Sequence, residues 1–393
     1  MKKLQQTHLR NILNLMNRKT ILFLCLTVFL FGCKAVQNKN KTLLFVGSFT
    51  DKKLGEGIHV YEFDTETGKA KLTYTLDSII NTSFQRLSPN GEYLFSVVES
   101  QMQHNGKIAA FKVDVTNKKI DLLNIQDCGG LNPAHLAIDN SGSFLVNSNY
   151  SDGTLSLFKI YEDGRLSNVK QILQFKDSSV IKSRQSASHM HSANFSPDGK
   201  YVFGHDLGAD KIRRFLFANK QGEVSLENPD EITITPGSGP RHFTFHPNGK
   251  FGYLVSELSG KINAYNYRND NLDFIEDYAT YQQKQDIYRT ADIHISPDGK
   301  FLYASNRGLK EDTIVIFSID KNNGKLTLVK HVNTGGEHPR NFGIDPSGNF
   351  LLVANMNTNN VVVFKRDLKT GLLQKLPKEI KVKRPASIQI KEY

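Results

Sequence analysis

The chain has 393 residues, of which 39% are hydrophobic and 23% charged, a composition typical of a globular protein with a sizeable core. The formal net charge is +11, but the segment before Cys33 supplies five positive charges and no negative one, which leaves +6 for the remainder. Since no basic run or RNA-binding aromatic motif accompanies that charge, the sequence argues against a nucleic-acid partner.

The N-terminal segment has the features of a secretory signal. Arg18 and Lys19 precede an apolar run from Ile21 to Phe31, which is too short for a good membrane span. The run leads into the letters LFGC, which resemble a bacterial lipobox ending at Cys33. We therefore predict a lipoprotein signal peptide over residues 1–33, lipidation of Cys33 and a polar tether over residues 34–41.

This reading predicts an exported protein that is lipid-anchored in the bacterial cell envelope and contacts the membrane only through that anchor. A plain N-terminal anchor with an incidental cysteine is the alternative. Met16 also opens a compact signal of its own, so both Met1 and Met16 are candidate starts.

Cysteine usage fits such a protein. Cys25 lies within the signal and Cys33 is the predicted lipidation site, so Cys128 is the single cysteine of the domain. One cysteine forms no internal disulfide, and the sequence has no CxxC or Cys/His zinc pattern. We expect Cys128 to be a buried or half-buried residue at a strand end, and we expect neither a metal nor another cofactor.

The domain repeats one pattern, in which a strand, a turn of the Ser-Pro-Asp-Gly-Lys kind and a second strand follow one another. The copies start at intervals of 49 to 57 residues, at Ser88, Asp139, Ser196, His246, Ser296 and Asp345. Each unit has four strand-like stretches, and the turn glycine supplies the positive φ that a tight connection needs. A period of this length, filled with strands, predicts an all-β protein, a β-propeller of four-stranded blades.

The two ends of the domain complete one blade. Leu43 to Phe49 matches the second strand of a unit and Gly57 to Phe63 the third, but the first strand is missing there. Arg384 to Ile390 (RPASIQI) matches Gly239 to Phe245 (GPRHFTF), which is a first strand. We therefore predict seven blades over residues 42–393, with the ring closed by the C-terminal strand in the N-terminal blade.

The repeat places equivalent residues of all blades at one face of the ring. The innermost strands are predicted to start there, at Ser83, Ala134, His191, Arg241, Ala291, Arg340 and Ala386. The second strands are predicted to end there, at Phe49, Glu99, Tyr150, Leu207, Glu257, Arg307 and Met356.

Charged residues replace small ones at several of these positions. Charges crowded toward an axis lose water, so they are expected to pair with one another or to bind a ligand. Inter-blade salt bridges are one interpretation, and a site for a small anion is the other. The connections over residues 175–188 and 278–290 lie on the same face, where Lys182, Arg184 and Arg289 are candidates to hold a carboxylate or phosphate.

Four segments carry a resemblance to a known family. They are HMHSANFSPDGKYVFGHDLGADKIRRF, PGSGPRHFTFHPNGKFGYLVSEL, ADIHISPDGKFLYASNRG and HPRNFGIDPSGNFLLVANMNTNNVVVFKRD. They resemble the seven-bladed propeller lactonases, which include bacterial 6-phosphogluconolactonases and are similar to carboxymuconate lactonizing enzymes. The tryptophan-aspartate repeat class is disfavoured, since the chain has no tryptophan.

The resemblance implies a lactone hydrolase without a metal, in which His191, Arg241 and Glu257 are catalytic. Register and resemblance together give the predicted substrate-binding residues, which are His189, Asp206, His242, Arg307, Arg340 and Glu99. His191 is the expected base, with Glu257 orienting it or replacing it, and Arg241 is expected to stabilise the oxyanion.

The predicted substrate is a sugar or organic-acid lactone, expected to be anionic. 6-Phosphogluconolactone is a cytoplasmic metabolite, whereas this chain carries an export signal. Two other functions therefore stay open, a non-enzymatic envelope propeller that binds a ligand or protein and a lactonizing cycloisomerase.

Overall fold

The computed structural model describes residues 41–220, 223–308 and 310–393. The predicted signal peptide, the lipidation site Cys33 and all but the last residue of the tether lie outside these ranges. Within them, no helix has the length and apolar character to cross a membrane.

Seven antiparallel sheets form the domain, and we number them as blades from the N-terminus. From the inner to the outer strand, blades 1 to 3 consist of β29 (Pro385–Glu392), β1 (Thr42–Ser48), β2 (Ile58–Phe63) and β3 (Ala70–Leu76); β4 (Gln85–Leu87), β5 (Tyr93–Val98), β6 (Asn105–Asp114) and β7 (Lys119–Leu131); and β8 (Pro133–Ile138), β9 (Phe144–Asn149), β10 (Thr154–Lys159) and β11 (Gln171–Gln174).

Blades 4 to 7 consist, in the same order, of β12 (Met190–Phe195), β13 (Tyr201–Asp206), β14 (Lys211–Lys220) and β15 (Glu223–Thr233); β16 (Pro240–Phe245), β17 (Phe251–Ser256), β18 (Lys261–Arg268) and β19 (Asn271–Ala279); β20 (Thr290–Ile295), β21 (Phe301–Asn306), β22 (Thr313–Ile319) and β23 (Leu326–Asn333); and β24 (Pro339–Ile344), β25 (Phe350–Asn355), β26 (Asn360–Arg366) and β27 (Leu373–Lys375). In blade 7, β28 (Ile380–Lys381) also pairs with β26. A four-residue helix, α1 (Lys182–Gln185), lies between blades 3 and 4.

The predicted fold and ring closure are confirmed. Strand β29 pairs antiparallel with β1, with Ile388 opposite Val46 and Ile390 opposite Leu44. The last strand of the chain is therefore the innermost strand of the first blade, and no inner edge is left open there.

The core lies between the blades. Among the described residues, seven clusters of buried apolar side chains each join two neighbouring blades, one cluster at each of the seven interfaces. Apolar side chains on both faces of each sheet produce this arrangement, because successive side chains of a strand point to opposite faces and each face packs against a neighbouring blade. Cys128 is fully buried near the end of β7, where burial raises its thiol pKa to about 12.

The repeated turns use the expected chemistry. In blade 4, the Ser196 hydroxyl donates to Asp198 at 2.6 Å and accepts from the Tyr201 amide at 2.9 Å. Gly199 has a φ of +72°, which only glycine adopts without strain. These turns lie on the face opposite the predicted mouth, so they leave the mouth to the strand starts and the longer connections.

Candidate active site

Bulges in the inner strands of blades 4, 5 and 7 each turn one residue away from the strand ladder. In blade 4, Met190 pairs with Asp206 and Ser192 with His205, so that His191 has no opposite partner. The same irregularity leaves out Arg241 in blade 5 and Arg340 in blade 7. A bulge re-aims its extra side chain, so these three residues project toward the axis rather than into the blade interfaces.

A cavity of about 190 Å³ opens at this mouth. Four predicted site residues, His191, Glu257, Arg307 and Arg340, lie in its wall. The other residues of the wall are Ser83, Gln101, Asn132, Pro133, Ala134, Tyr150 and Arg184. The volume suits a small molecule, and the strong positive charge of its wall suits an anionic one.

Glu257 is the centre of the charge cluster. Its Oε2 accepts from Arg241 Nε and from Arg307 Nη2, each at 3.0 Å, and its Oε1 accepts from Arg184 Nη2 at 2.7 Å. Burial alone would raise the pKa of Glu257, but the three arginines outweigh it and hold the pKa well below the ordinary 4.5. Glu257 is therefore a permanent anion that holds arginines, and it is a weak base.

Arg241 keeps its Nη2 amino group free. It is 1% exposed, its Nε is bonded to Glu257, and its Nη1 donates to the carbonyl oxygen of Ala291. In the part of the chain that the structure describes, Nη2 makes no hydrogen bond. Arg241 also lines the narrow neck that continues from the cavity along the axis. A buried guanidinium with a free Nη2 group can stabilise a developing oxyanion.

His191 faces the cavity as a neutral imidazole. Burial, followed by the charge of Arg241, holds the pKa of His191 well below 6.5. Its Nδ1 is buried without a hydrogen-bond partner among the described residues. A neutral imidazole with an unused nitrogen can accept a proton from water.

Arg340 lines the wall and makes no hydrogen bond or salt bridge to a protein acceptor within the described ranges. Its guanidinium carbon lies 5.1 Å from the centre of the Phe49 ring. Burial and the nearby Arg307 lower the pKa of Arg340 to about 10, so it stays charged near neutral pH. Arg307 differs, because its Nη2 is bonded to Glu257 and its Nε donates to the carbonyl oxygen of Arg289 at 3.1 Å.

Besides Arg241, which lines only the neck, four predicted site residues lie outside this cavity wall. Asp206 is fully buried and accepts from the His189 amide and from Arg213, and His189 stacks on Tyr150 with ring centres 4.5 Å apart. Glu99 accepts from Lys107 Nζ at 2.7 Å. His242 lies deeper, in the neck, and its Nδ1 is 2.7 Å from Asp292. A substrate-binding role for these four stays a prediction.

Sequence reasoning missed several wall residues. Tyr150 was recognised only as a ring position, and Gln101 and Asn132 carried no signal because uncharged residues in loops are common. Arg184 was identified only as a candidate in a connection. Its salt bridge to Glu257 spans 73 residues of sequence, and no local pattern reports such a contact.

Across residues 41–220, 223–308 and 310–393, no group of three or more His, Cys, Asp or Glu is arranged to hold a metal ion. The expectation that the protein needs no metal stays a prediction.

Fold and site together define a class, a closed seven-bladed propeller with an arginine-rich cavity at the mouth of its axis. The family model described as "Lactonase, 7-bladed beta-propeller" matches residues 43–390. The chain therefore belongs to the lactonase family of seven-bladed β-propellers, as its sequence predicted.

Relatives of known description cover almost the whole domain. A 6-phosphogluconolactonase of Formosa agariphila is 57% identical over 353 residues, 89% of this chain and 99% of the relative. A 6-phosphogluconolactonase of Bacillus subtilis is 32% identical and covers 89% of this chain and 98% of its own length. The structure of a periplasmic gluconolactonase of Pseudomonas aeruginosa matches with a TM-score of 0.84 at 30% identity, over 89% of this chain and 99% of that one.

Proposed function

We propose that the protein is a lactone hydrolase that opens an anionic sugar or organic-acid lactone at the propeller mouth. The observation that carries this proposal is the pairing of a neutral His191 with a wall whose arginines outnumber its single carboxylate, Glu257. The family and the 6-phosphogluconolactonase and gluconolactonase relatives support it.

In this proposal, Arg340 binds the anionic group of the substrate. Arg340 is charged and has no acceptor in the described part of the chain, so it needs no protein bond to break before it binds an anion. Arg307 adds positive potential beside it, although its Nη2 and Nε already donate to Glu257 and to the carbonyl oxygen of Arg289.

His191 takes a proton from the attacking water. Burial, followed by the field of the arginines, lowers the pKa of His191 in the free protein. A bound anion offsets part of that field and raises the pKa of the imidazole toward the neutral range, where a general base is effective. Substrate binding thereby activates the base.

Arg241 stabilises the oxyanion through its free Nη2, and Glu257 holds Arg241 in place. The hydrogen bond from Arg241 Nε to Glu257 fixes the guanidinium plane before the substrate arrives, which is the condition for effective electrostatic stabilisation. Glu257 acts here as a positioning carboxylate, in line with its depressed pKa.

The test measures acid release in a pH-stat with gluconolactone, its 6-phosphate and muconolactones. We expect turnover of at least one of them, with the anionic lactones preferred. Mass spectrometry of the product separates hydrolysis, which adds one water, from isomerisation. Inert protein with all substrates, together with tight binding of a polymer or protein, would contradict hydrolysis and favour a non-enzymatic binding function.

We also propose that the protein is exported and anchored through Cys33. The signal-like N-terminus and the periplasmic relative support this assignment. Labelling of growing cells with a tagged fatty acid tests the anchor, and we expect a labelled envelope protein whose label is lost in Cys33→Ser. Equal labelling of both proteins would contradict the anchor.

A further inference from the structure

The axis of the propeller continues beyond the catalytic cavity. A neck of about 10 Å³ follows the mouth and is lined by His191, Arg241 and His242, among others. Below the neck lies a second cavity of about 370 Å³, which His242 also lines. The wall of this second cavity includes Ser196 and Pro197 of a repeated turn. Since these turns form the face opposite the mouth, the neck joins the catalytic cavity to the other side of the ring. We call this second space the lower cavity.

His242 is held at this junction by a carboxylate. Its Nδ1 lies 2.7 Å from Asp292 Oδ1. The other oxygen, Oδ2, accepts from His294 Nε2 at 2.9 Å, from the side-chain amide of Asn341 and from the Phe342 amide at 3.3 Å. Asp292 is 3% exposed, and burial alone would raise its pKa, but the two histidines hold the pKa well below 3.8. A charged Asp292 keeps the proton of His242 on Nδ1 and leaves Nε2 as the basic nitrogen.

Two residues that line the neck, His191 and His242, each have a buried nitrogen without a partner among the residues described. His242 Nε2 and His191 Nδ1 have no hydrogen-bond partner in the described chain, and the ring centres lie 5.2 Å apart. A buried imidazole nitrogen without a partner costs free energy, so such groups are usually bridged by water. A site needs roughly 10–15 Å³ of this kind of space to hold one water molecule, and the neck has about 10 Å³.

Lactone hydrolysis produces a proton that the site has to lose. Water adds to the acyl carbon, the bond from that carbon to the ring oxygen breaks, and one proton of the water ends on the ring oxygen as a hydroxyl. The other proton is released when the new carboxylic acid ionises. The product carboxylate occupies the mouth, so an exit along the axis is advantageous.

We propose that His242, positioned by Asp292, receives the reaction proton from His191 through one water in the neck and passes it to solvent in the lower cavity. The inference rests on the proposed lactone hydrolysis. His242 is then a relay residue that does not touch substrate, and Asp292 is a positioning residue that stabilises the transient imidazolium.

The surroundings of His242 tune this step. Burial, followed by the charge of Arg241, lowers the pKa of His242 to about 4, although Asp292 acts in the opposite direction. The charged and titratable groups that influence the relay from the surrounding strands are Arg86, His135, His191, His205, Arg241, Asp292 and His294. Because the imidazolium is disfavoured at rest, His242 holds the proton only briefly and releases it readily.

The test is His242→Gln in the full chain, since glutamine can still donate to Asp292 but accepts no proton. We expect kcat in weakly buffered solution to fall about tenfold. KM should stay unchanged, and added imidazole, which fits the lower cavity, should restore most of the rate. His135→Gln is the matched control, because His135 lines the same cavity 5.3 Å from His242 but has no carboxylate partner. Its rate should depend on buffer as the wild type does.

The outcomes separate the relay from the proposed function. Suppose that the wild type is active and that His242→Gln has an unchanged kcat, or a raised KM without rescue by imidazole. Either result overturns the relay and leaves the proposed lactone hydrolysis intact. A folded wild type that opens no lactone overturns both. If His242→Gln does not fold, Asp292→Asn is measured in the same way. We expect this variant to lose the turnover that wild type shows without added imidazole. A pH profile equal to that of the wild type would count against the relay.

Discussion

Arg241 Nε donates to Glu257 Oε2 at 3.0 Å, and the two side chains are only 1% and 6% exposed. A buried pair of this kind costs desolvation, which its mutual attraction offsets only when further hydrogen bonds are made. Glu257 makes two more, to Arg307 and Arg184. The carboxylate therefore neutralises part of a cluster that would otherwise repel itself.

Glu257→Gln is expected to destabilise the protein and to impair catalysis together. Removing the one charge leaves the arginines without compensation, and loss of one partner of a buried pair costs about 3–5 kcal/mol. Chemical denaturation at neutral pH measures the free energy of unfolding. Glu99→Gln is the control, since Glu99 is paired with a 44% exposed Lys107 and its loss should cost far less. Equal losses in the two variants would contradict a central role for Glu257.

The same carboxylate predicts a loss of stability in acid. Its pKa in the folded protein lies below the ordinary 4.5, so its contribution is fully present above that value and is lost as pH falls toward the folded pKa. Asp292 acts in the same direction. We expect the melting temperature to fall below about pH 4.5 and the fall to be shallower in Glu257→Gln. Parallel curves for the two proteins would show that Glu257 is not the group responsible.

His191→Ala is expected to lower kcat about a hundredfold or more without unfolding the protein. The variant is expected to stay folded because the buried Nδ1 of His191 makes no hydrogen bond within the described ranges, so its removal leaves no partner unsatisfied. Thermal melting supplies the folding control and a pH-stat supplies the rate. Wild-type turnover in the folded variant would remove His191 from the mechanism.

Closure of the ring predicts a strong effect of truncation. Strand β29 also links blade 1 to its neighbours, because Ser387 accepts from the Gln85 amide at 2.9 Å and the Ile388 amide donates to Asn341 at 2.7 Å. Deletion of residues 384–393 should abolish the cooperative melt or cause aggregation, since β1 becomes an open edge. Lys391→Ala, which removes an exposed contact to Pro89, should melt as the wild type does. A truncated protein that also did so would argue against closure as a source of stability.

The fold was predictable because its determinants are local and repeated. Each turn around a residue such as Gly199 carries its own conformational signal, and the period then aligns equivalent positions of all blades. The bulged positions His191, Arg241 and Arg340 were aligned from the sequence alone, although nothing in the sequence indicated that a bulge would aim them at the axis.

The site was predictable only in part, because pairing is decided between blades. Glu99 and Glu257 hold equivalent positions in the repeat. Glu99 accepts a hydrogen bond from Lys107 of the next strand. Glu257 instead pairs with Arg184 of a connection and with Arg241 and Arg307 at two strand ends. Asp292 was missed for the same reason, since its partners His242 and Asn341 come from neighbouring blades. A single sequence without its contacts does not distinguish these cases.

Arg340 offers the sharpest test of substrate charge. Arg340→Ala removes a cation that has no acceptor in the described chain, so we expect little change in stability and a KM for an anionic lactone that rises about tenfold or more. The KM for a neutral lactone should change far less, because only the anionic group needs the guanidinium. Arg384→Ala is the matched control, since Arg384 stacks on the same Phe49 ring but is paired with Asp51 and lies outside the cavity wall. If Arg340→Ala raised the KM of neutral and anionic lactones alike, the residue would shape the cavity rather than bind the charge, and the anionic substrate class would be wrong.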